Sequence, residues 1–153
     1  MYSTINEFIE DWKEEGESTQ KLFDALTDSS LDQQVSPNDR TLGSIAWHIV
    51  TTIPDSLFGI TEMAPERDSI PTEAKEIAET FRKIRTAVSD TVSTQWTDAT
   101  LSEPRDYFGM DIPLPVSLQM IIKHLIHHRG QMTVLMRQAG LKVYGVYGPS
   151  REE

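Results

Sequence analysis

The sequence predicts an all-α four-helix bundle. Three observations predict it. Four segments place apolar residues at three- and four-residue steps, the segments between them are marked by Pro, Gly, Asn and Ser, and strand-like alternation is almost absent. The 153 residues suit a single domain over 1–153, long enough to bury a substantial core.

The first helix is predicted from about Ser3 to Thr27, with Ile5, Phe8, Ile9, Trp12, Thr19, Leu22, Phe23 and Leu26 as one stripe. Ser3 is its expected N-cap, and Glu7 adds negative charge near the start. Asp28 to Arg40 reads as a connection. The second helix is predicted from about Thr41 to Ile60, with a stripe from Leu42 through Leu57 and a kink or break at Pro54. Pro65 and Pro71 bracket a linker, and Thr72 is the expected cap of a third helix reaching about Trp96. Ile77, Phe81, Ile84, Val88 and Val92 face its interior side. Thr97 to Pro115 is the least regular stretch, with a short hairpin about Gly109 between Asp106 and Ile112. The fourth helix opens at Pro115 and ends near Ala139, with Gly140 in the C′ position. Long connections after the first and third helices permit crossovers, so these patterns leave the topology open.

Charge narrows the function. Asp and Glu total 24 against 14 Lys and Arg, a formal charge of −10. Such a surface repels phosphate backbones and anionic lipid, and no basic run overrides it. Neither a nucleic-acid partner nor a membrane is expected. The absence of cysteine excludes disulfides, thiolate metal sites and a cysteine nucleophile, and fits a reducing compartment. The first residues lack the basic and apolar regions of a secretory signal, and the expected location is the cytoplasm.

The chemistry concentrates in histidine. The chain has His48, His124, His127 and His128. His124 and His128 stand at i, i+4, which puts their side chains on one helix face about one turn apart. Two imidazoles so placed can converge on one ion. His127 is rotated about 100° from His128 and cannot easily join them. His48, on the flank of the second helix's stripe, is the remaining histidine and the candidate third ligand. A lone HxxxH on a helix is usually a solvated pair, but here His48 completes a set between facing helices, where bundles build metal sites. The predicted metal ligands are therefore His48, His124 and His128. Leu125 follows His124, so the glutamate of an HExxH protease is missing. Three imidazoles without thiolate leave a coordination position open, as catalytic sites do. Such ligands suit zinc, nickel, copper or iron, with zinc or nickel foremost.

Five further residues are weaker candidates. Asp55 could orient a ligand, although a solvated carboxylate explains it as well. Gln131 could support His128 or meet substrate. Arg129 is better read as a salt-bridge partner than as an anion site. Tyr107 and Phe108 could line a pocket mouth or simply pack beneath a loop.

The Trp47-His48 pair, the segment from His124 to Gln131 (HLIHHRGQ) and the tail from Tyr147 to Glu153 together resemble the DinB family, grouped with the YfiT-like metal-dependent enzymes. The resemblance runs over essentially the whole chain. It implies an up-down-down-up four-helix bundle, often homodimeric, with a divalent metal ion on His48, His124 and His128. It also implies, for some members, transfer or isomerisation chemistry with a low-molecular-weight thiol such as bacillithiol, mycothiol or glutathione.

A thiol S-transferase fits a chain without cysteine, because the sulfur must then arrive with the substrate. A metal-dependent hydrolase would need a nearby base, which the sequence does not display. A non-catalytic metal- or ligand-binding module is the third reading. Catalytic residues beyond the metal ligands are not assigned. The charge balance makes one prediction: a gel-shift assay at physiological salt shows no retardation of duplex DNA. Tight, salt-dependent binding would overturn it.

Overall fold

A reciprocal cap starts the first helix. In α1 (Ile5–Asp24), Glu7 N donates to Thr4 Oγ1 at 3.3 Å while Thr4 N donates to the Glu7 carboxylate at 3.3 Å. The N-cap is thus Thr4 and not Ser3. Thr4 has glutamate three residues on, whereas Ser3 would have Asn6, which leaves the box open. The Ser3 amide joins the same carboxylate at 2.6 Å. The structure, a computed structural model, describes residues 1–54, 57–107 and 109–153, with the Tyr107 side chain left aside.

α2 (Leu42–Thr52) is shorter than its apolar stripe predicts. Thr41 caps it, accepting from Ser44 N at 3.1 Å. It stops before Pro54, which has no N–H to continue the ladder. The Thr52 hydroxyl covers the freed end by donating to the carbonyls of His48 at 2.8 Å and Ile49 at 3.2 Å. Leu57 and Phe58 are still buried, so the stripe reports burial correctly even where the chain is not helical.

α3 (Ala74–Gln95) is capped from elsewhere. Its N-cap position, Glu73, makes no side-chain cap, and Thr72 lies outside the helix. Asp28, in a short 3-10 turn (Asp28–Ser30), instead accepts from Ala74 N at 2.8 Å. A carboxylate at a helix start suits the exposed amides and the dipole. No local pattern could reveal a cap supplied from 46 positions away.

A two-stranded antiparallel hairpin follows, β1 (Pro104–Tyr107) and β2 (Met110–Pro113), pairing Asp106 with Asp111. Gly109, at φ +77°, occupies the turn where the sequence placed it. α4 (Leu114–Gln138) then runs unbroken through every histidine after His48. It ends as expected at Gly140, φ +79°, where Gly140 N bonds Arg137 O and Leu141 N bonds Met136 O.

The bundle direction follows from side-chain pairings. Trp12 Nε1 donates to Arg85 O at 3.1 Å and Gln20 Nε2 to Ala78 O at 3.0 Å, so α1 and α3 are antiparallel. His48 meets His124 while Ile45 shares a cleft with Leu135, so α2 and α4 are antiparallel as well. The start of α1 lies at the 3-10 segment Asp98–Ser102, where Ile5 N donates to Asp98 Oδ1, and the hairpin, by pairing Pro104 with Pro113, returns the start of α4 to the end of that same segment. The order is therefore up-down-down-up. Phe8, Trp12, Phe23 and Phe81 are almost wholly buried at its centre, and Phe58 stacks between Phe8 and Trp96. Among the described residues, no helix is long and apolar enough to cross a membrane.

Gly43 marks a close approach. A Cβ there would lie 3.1 Å from Leu31 Cβ and 3.2 Å from Leu31 O, whose carbonyl already accepts from Gly43 N at 2.8 Å. Gly130 has open space around it. Helix propensity alone makes Gly→Ala favourable by about 0.5–1 kcal/mol. Gly130→Ala is expected to raise the melting temperature by about 1–4 °C, and Gly43→Ala to lower it. Scanning calorimetry giving the same sign for both would remove the packing argument.

Candidate metal centre

The antiparallel contact of α2 and α4 gathers the histidines. His48 Nε2 lies 3.1 Å from His124 Nε2, and His128 Nε2 lies 3.1 Å from that same atom. The three ring centroids are 4.4 to 5.0 Å apart, with the rings steeply inclined to one another. Three ligands at about 2.0–2.1 Å from one ion, at angles between octahedral and tetrahedral, would stand about 2.9–3.4 Å from each other. The observed separations fall in that interval. Among the described residues, His48, His124 and His128 form the group of side chains suited to hold a metal ion.

The proton positions agree with ligation. His128 Nδ1 lies 2.7 Å from Gln131 Oε1, which can only accept. The proton therefore sits on Nδ1, and His128 Nε2 presents a lone pair to the centre. With that tautomer fixed, hydrogen bonds alone cannot satisfy the cluster. His124 Nε2–H can donate well to one neighbour, and it then has no lone pair to offer the other. A single cation placed among the three nitrogens satisfies every lone pair at once.

Burial points the same way. It pushes His48 and His124 down to about 4, with the neighbouring imidazoles and Arg40 adding to the shift. It also lowers His128, against which the Gln131 hydrogen bond works. All three thus favour the neutral form that ligates metal. His128 keeps only 9% of its surface.

The other candidates separate. His127 is exposed and outside the triad, its ring 4.8 Å from that of His128. Gln131 supports His128 as described. Arg129 turns toward α1 and is only 2% exposed. It pairs with Glu15 at 2.6 Å and donates to Thr19 Oγ1 and Tyr147 Oη, so its donors are committed to structure. Asp55 and Phe108 lie outside the described residues, as does the Tyr107 side chain.

A cleft of about 490 Å³ opens beside His128, lined by Asp39, Arg40, Ile45, Gln131 and Leu135 among others. Arg40 and Asp39 were not among the residues singled out from the sequence. They precede Thr41, the cap of α2, and only the antiparallel pairing carries that end of α2 to the second half of α4.

The amino-acid sequence matches the DinB family over residues 1–153. The chain belongs to the DinB family. It is similar to the uncharacterized protein YrdA of Bacillus subtilis strain 168, with 45% identity over 156 residues, covering 100% of this chain and 93% of YrdA. A solved DinB-like protein from Bacillus cereus ATCC 10987 is 48% identical, with TM-score 0.87 over 96% of this chain and 100% of that one. A second DinB-like structure, YjoA of Bacillus subtilis, has TM-score 0.71 at 16% identity, over 94% of this chain and 99% of its own. At that distance only the fold is shared.

For this DinB-family chain, a metal ion that binds only the folded state stabilises it by about 2.7 kcal/mol at a hundred times Kd. Adding zinc to metal-free protein should raise the melting temperature by about 5–10 °C, and chelation should reverse this. His48→Ala, His124→Ala and His128→Ala should each abolish the response, while His127→Ala keeps it. Gln131→Ala should weaken zinc binding by about tenfold or more. Calorimetry in which His127→Ala loses the response and His124→Ala retains it would show the ligand set to be wrong.

The same triad sets a pH dependence in the metal-free protein. His48 and His124 take up protons less readily folded than unfolded, so acid favours the unfolded chain. Their contribution is complete above the unfolded value of 6.5 and is lost as pH falls toward about 4. His124→Ala should therefore lose less stability than the parent between these limits in urea titrations. An equal loss would contradict the assignment.

Proposed function

We propose that this protein is a metal-dependent enzyme acting on a low-molecular-weight thiol, with His48, His124 and His128 holding one divalent ion, zinc or nickel. The observation that carries the reading is the convergence of three neutral Nε2 atoms beside an open cleft. A divalent ion bound there would hold a thiol sulfur as thiolate, the reactive form. The protein's own residues do the rest. Neutral imidazoles leave the charge of the ion undiminished, which favours an anionic donor over a neutral one. Gln131 keeps the His128 proton on Nδ1, away from the centre. Ile45 and Leu135, both nearly buried, give the cleft an apolar floor that limits water beside the sulfur. The chain supplies no thiol of its own.

Hydrolysis is the second reading, and Asp39 is the observation that favours it, since its carboxylate lines the same cleft. That carboxylate accepts from the Ser36 hydroxyl at 2.7 Å, within its own loop. Among the described residues, no carboxylate belongs to the histidine group itself, where a base acting on a water would be needed. The thiol reading is therefore preferred. Assembly as a homodimer belongs to the same proposal, and light scattering at micromolar concentration checks it.

Cobalt-loaded protein provides the direct test. Addition of 2-mercaptoethanol should produce a sulfur-to-cobalt charge-transfer absorption, absent in His48→Ala and His128→Ala. A cobalt spectrum indifferent to thiol would end the thiol reading while leaving the metal site intact.

A further inference from the structure

We propose that Arg40 forms an anion-recognition subsite beside the histidine triad, so that the preferred ligand is a small thiol bearing a carboxylate across a short apolar segment. The sulfur end of this inference rests on the thiol reading above. The carboxylate end rests on charges and surfaces that are independent of it.

Cations are scarce in this chain, 14 against 24 acidic residues, and an arginine here would readily find a partner. Arg82, Arg105, Arg129 and Arg137 have done so, with Asp24, Glu103, Glu15 and Glu152. Arg40, Arg67 and Arg85 make no ion pair or side-chain hydrogen bond among the described residues. Arg85 lies against Gly16 of α1, Arg40 and Arg67 are exposed, and of the three Arg40 lines the cleft. Arg40 lines the cleft with His128 and Gln131. The loop holding Arg67 is fixed by the Trp47 indole, which donates to Glu66 O at 3.0 Å, and Trp47 directly precedes His48. Asp39 lines the same cleft, and its carboxylate is engaged by the Ser36 hydroxyl at 2.7 Å rather than by Arg40.

A guanidinium presents a planar fork of donors that matches a carboxylate in two parallel hydrogen bonds. The surface between Arg40 and the triad is apolar. Ile45 and Leu135 form its floor, and Val35 and Val134 stand on the same cleft with 67% and 53% of their surfaces uncovered. A methylene segment joining sulfur to carboxylate would cover that surface. Arg129 offers no alternative anion site, because its donors are already committed.

The test is calorimetric titration of zinc-loaded protein with 3-mercaptopropionate, 2-mercaptoethanol and cysteamine, which are similar in size and differ in charge. The anionic thiol should bind about tenfold tighter than the neutral one, and the cationic thiol weakest. Arg40→Gln should bring the first ratio close to one without changing zinc content or 2-mercaptoethanol affinity, and Arg67→Gln, outside the cleft lining, should leave the ratio unchanged. In metal-free protein, glutarate should shift the Arg40 side-chain NMR signal, a readout that needs neither metal nor turnover. Equal binding of the three thiols, with Arg40→Gln silent, overturns the subsite and leaves the thiol reading in place. Failure of every thiol while glutarate still shifts the Arg40 signal removes the thiol reading and leaves the anion subsite. Failure of both removes both.

Discussion

His124 and His128 can face one ion only while a single unbroken helical turn separates them, and much of the molecule keeps that turn in place. α4 is held at its start by Pro115 in the first turn and at its end by the left-handed Gly140. Between them, Leu118, Ile121, Leu125, Met132 and Leu135 are buried along its length. A kink within this span would separate the imidazoles by more than a shared ion tolerates. The short α2 is the counterpart. It must end near Thr52 so that the following chain can bring Leu57 and Phe58 into the core, yet it needs enough length to carry His48 to α4.

The rotation of α4 is set by its neighbours on two sides. Successive residues on a helix point about 100° apart, and the His127-His128-Arg129 run distributes itself accordingly. His127 faces solvent, His128 faces α2, and Arg129 faces α1. The Arg129–Glu15 pair is almost wholly removed from water and is completed by Thr19 and by Tyr147 from the tail. Breaking such a pair by removing one partner costs about 3–5 kcal/mol, because the other charge is left buried. The pair therefore resists the rotation that would turn His128 away from His48. The tail motif that resembles the family thus has a physical role: Tyr147 closes the buried charge pair that orients the histidine-bearing side of α4.

Legibility in the sequence followed the range of the interactions. The helices were readable because periodicity is local, and Gly109 and Gly140 were readable because a left-handed backbone asks for glycine. The triad was readable because i, i+4 spacing is a local fact and His48 was the remaining candidate. Element ends were less so. The Thr4 box is visible in the sequence as Thr-x-x-Glu, one residue after the Ser3 expected as the cap. The cap of α3 was not available at all, since Asp28 reaches it across the fold. Leu57 shows why α2 was read too long: an apolar residue at helical spacing is buried here by a turn rather than a helix. Arg40 gives no signal, because an arginine that lines a cleft looks in sequence like any other arginine.

Charge operates on two length scales in this protein. The net charge of −10 sets a field that concentrates divalent cations around the molecule and disfavours anions. That field is screened within about 8 Å at physiological ionic strength. At the triad the neutral imidazoles add no negative charge, and on the adjoining cleft the Arg40 guanidinium has no ion-pair partner among the described residues. The far field favours a cation, and the subsite proposed above would favour an anion beside it. A site of carboxylates would have made the near field negative and repelled a second, anionic ligand. Histidine ligands avoid this, and burial that holds them neutral sharpens the difference. On the proposal above, the donor set and Arg40 are parts of one arrangement, in which an acidic protein would hold a cation and still admit an anion beside it.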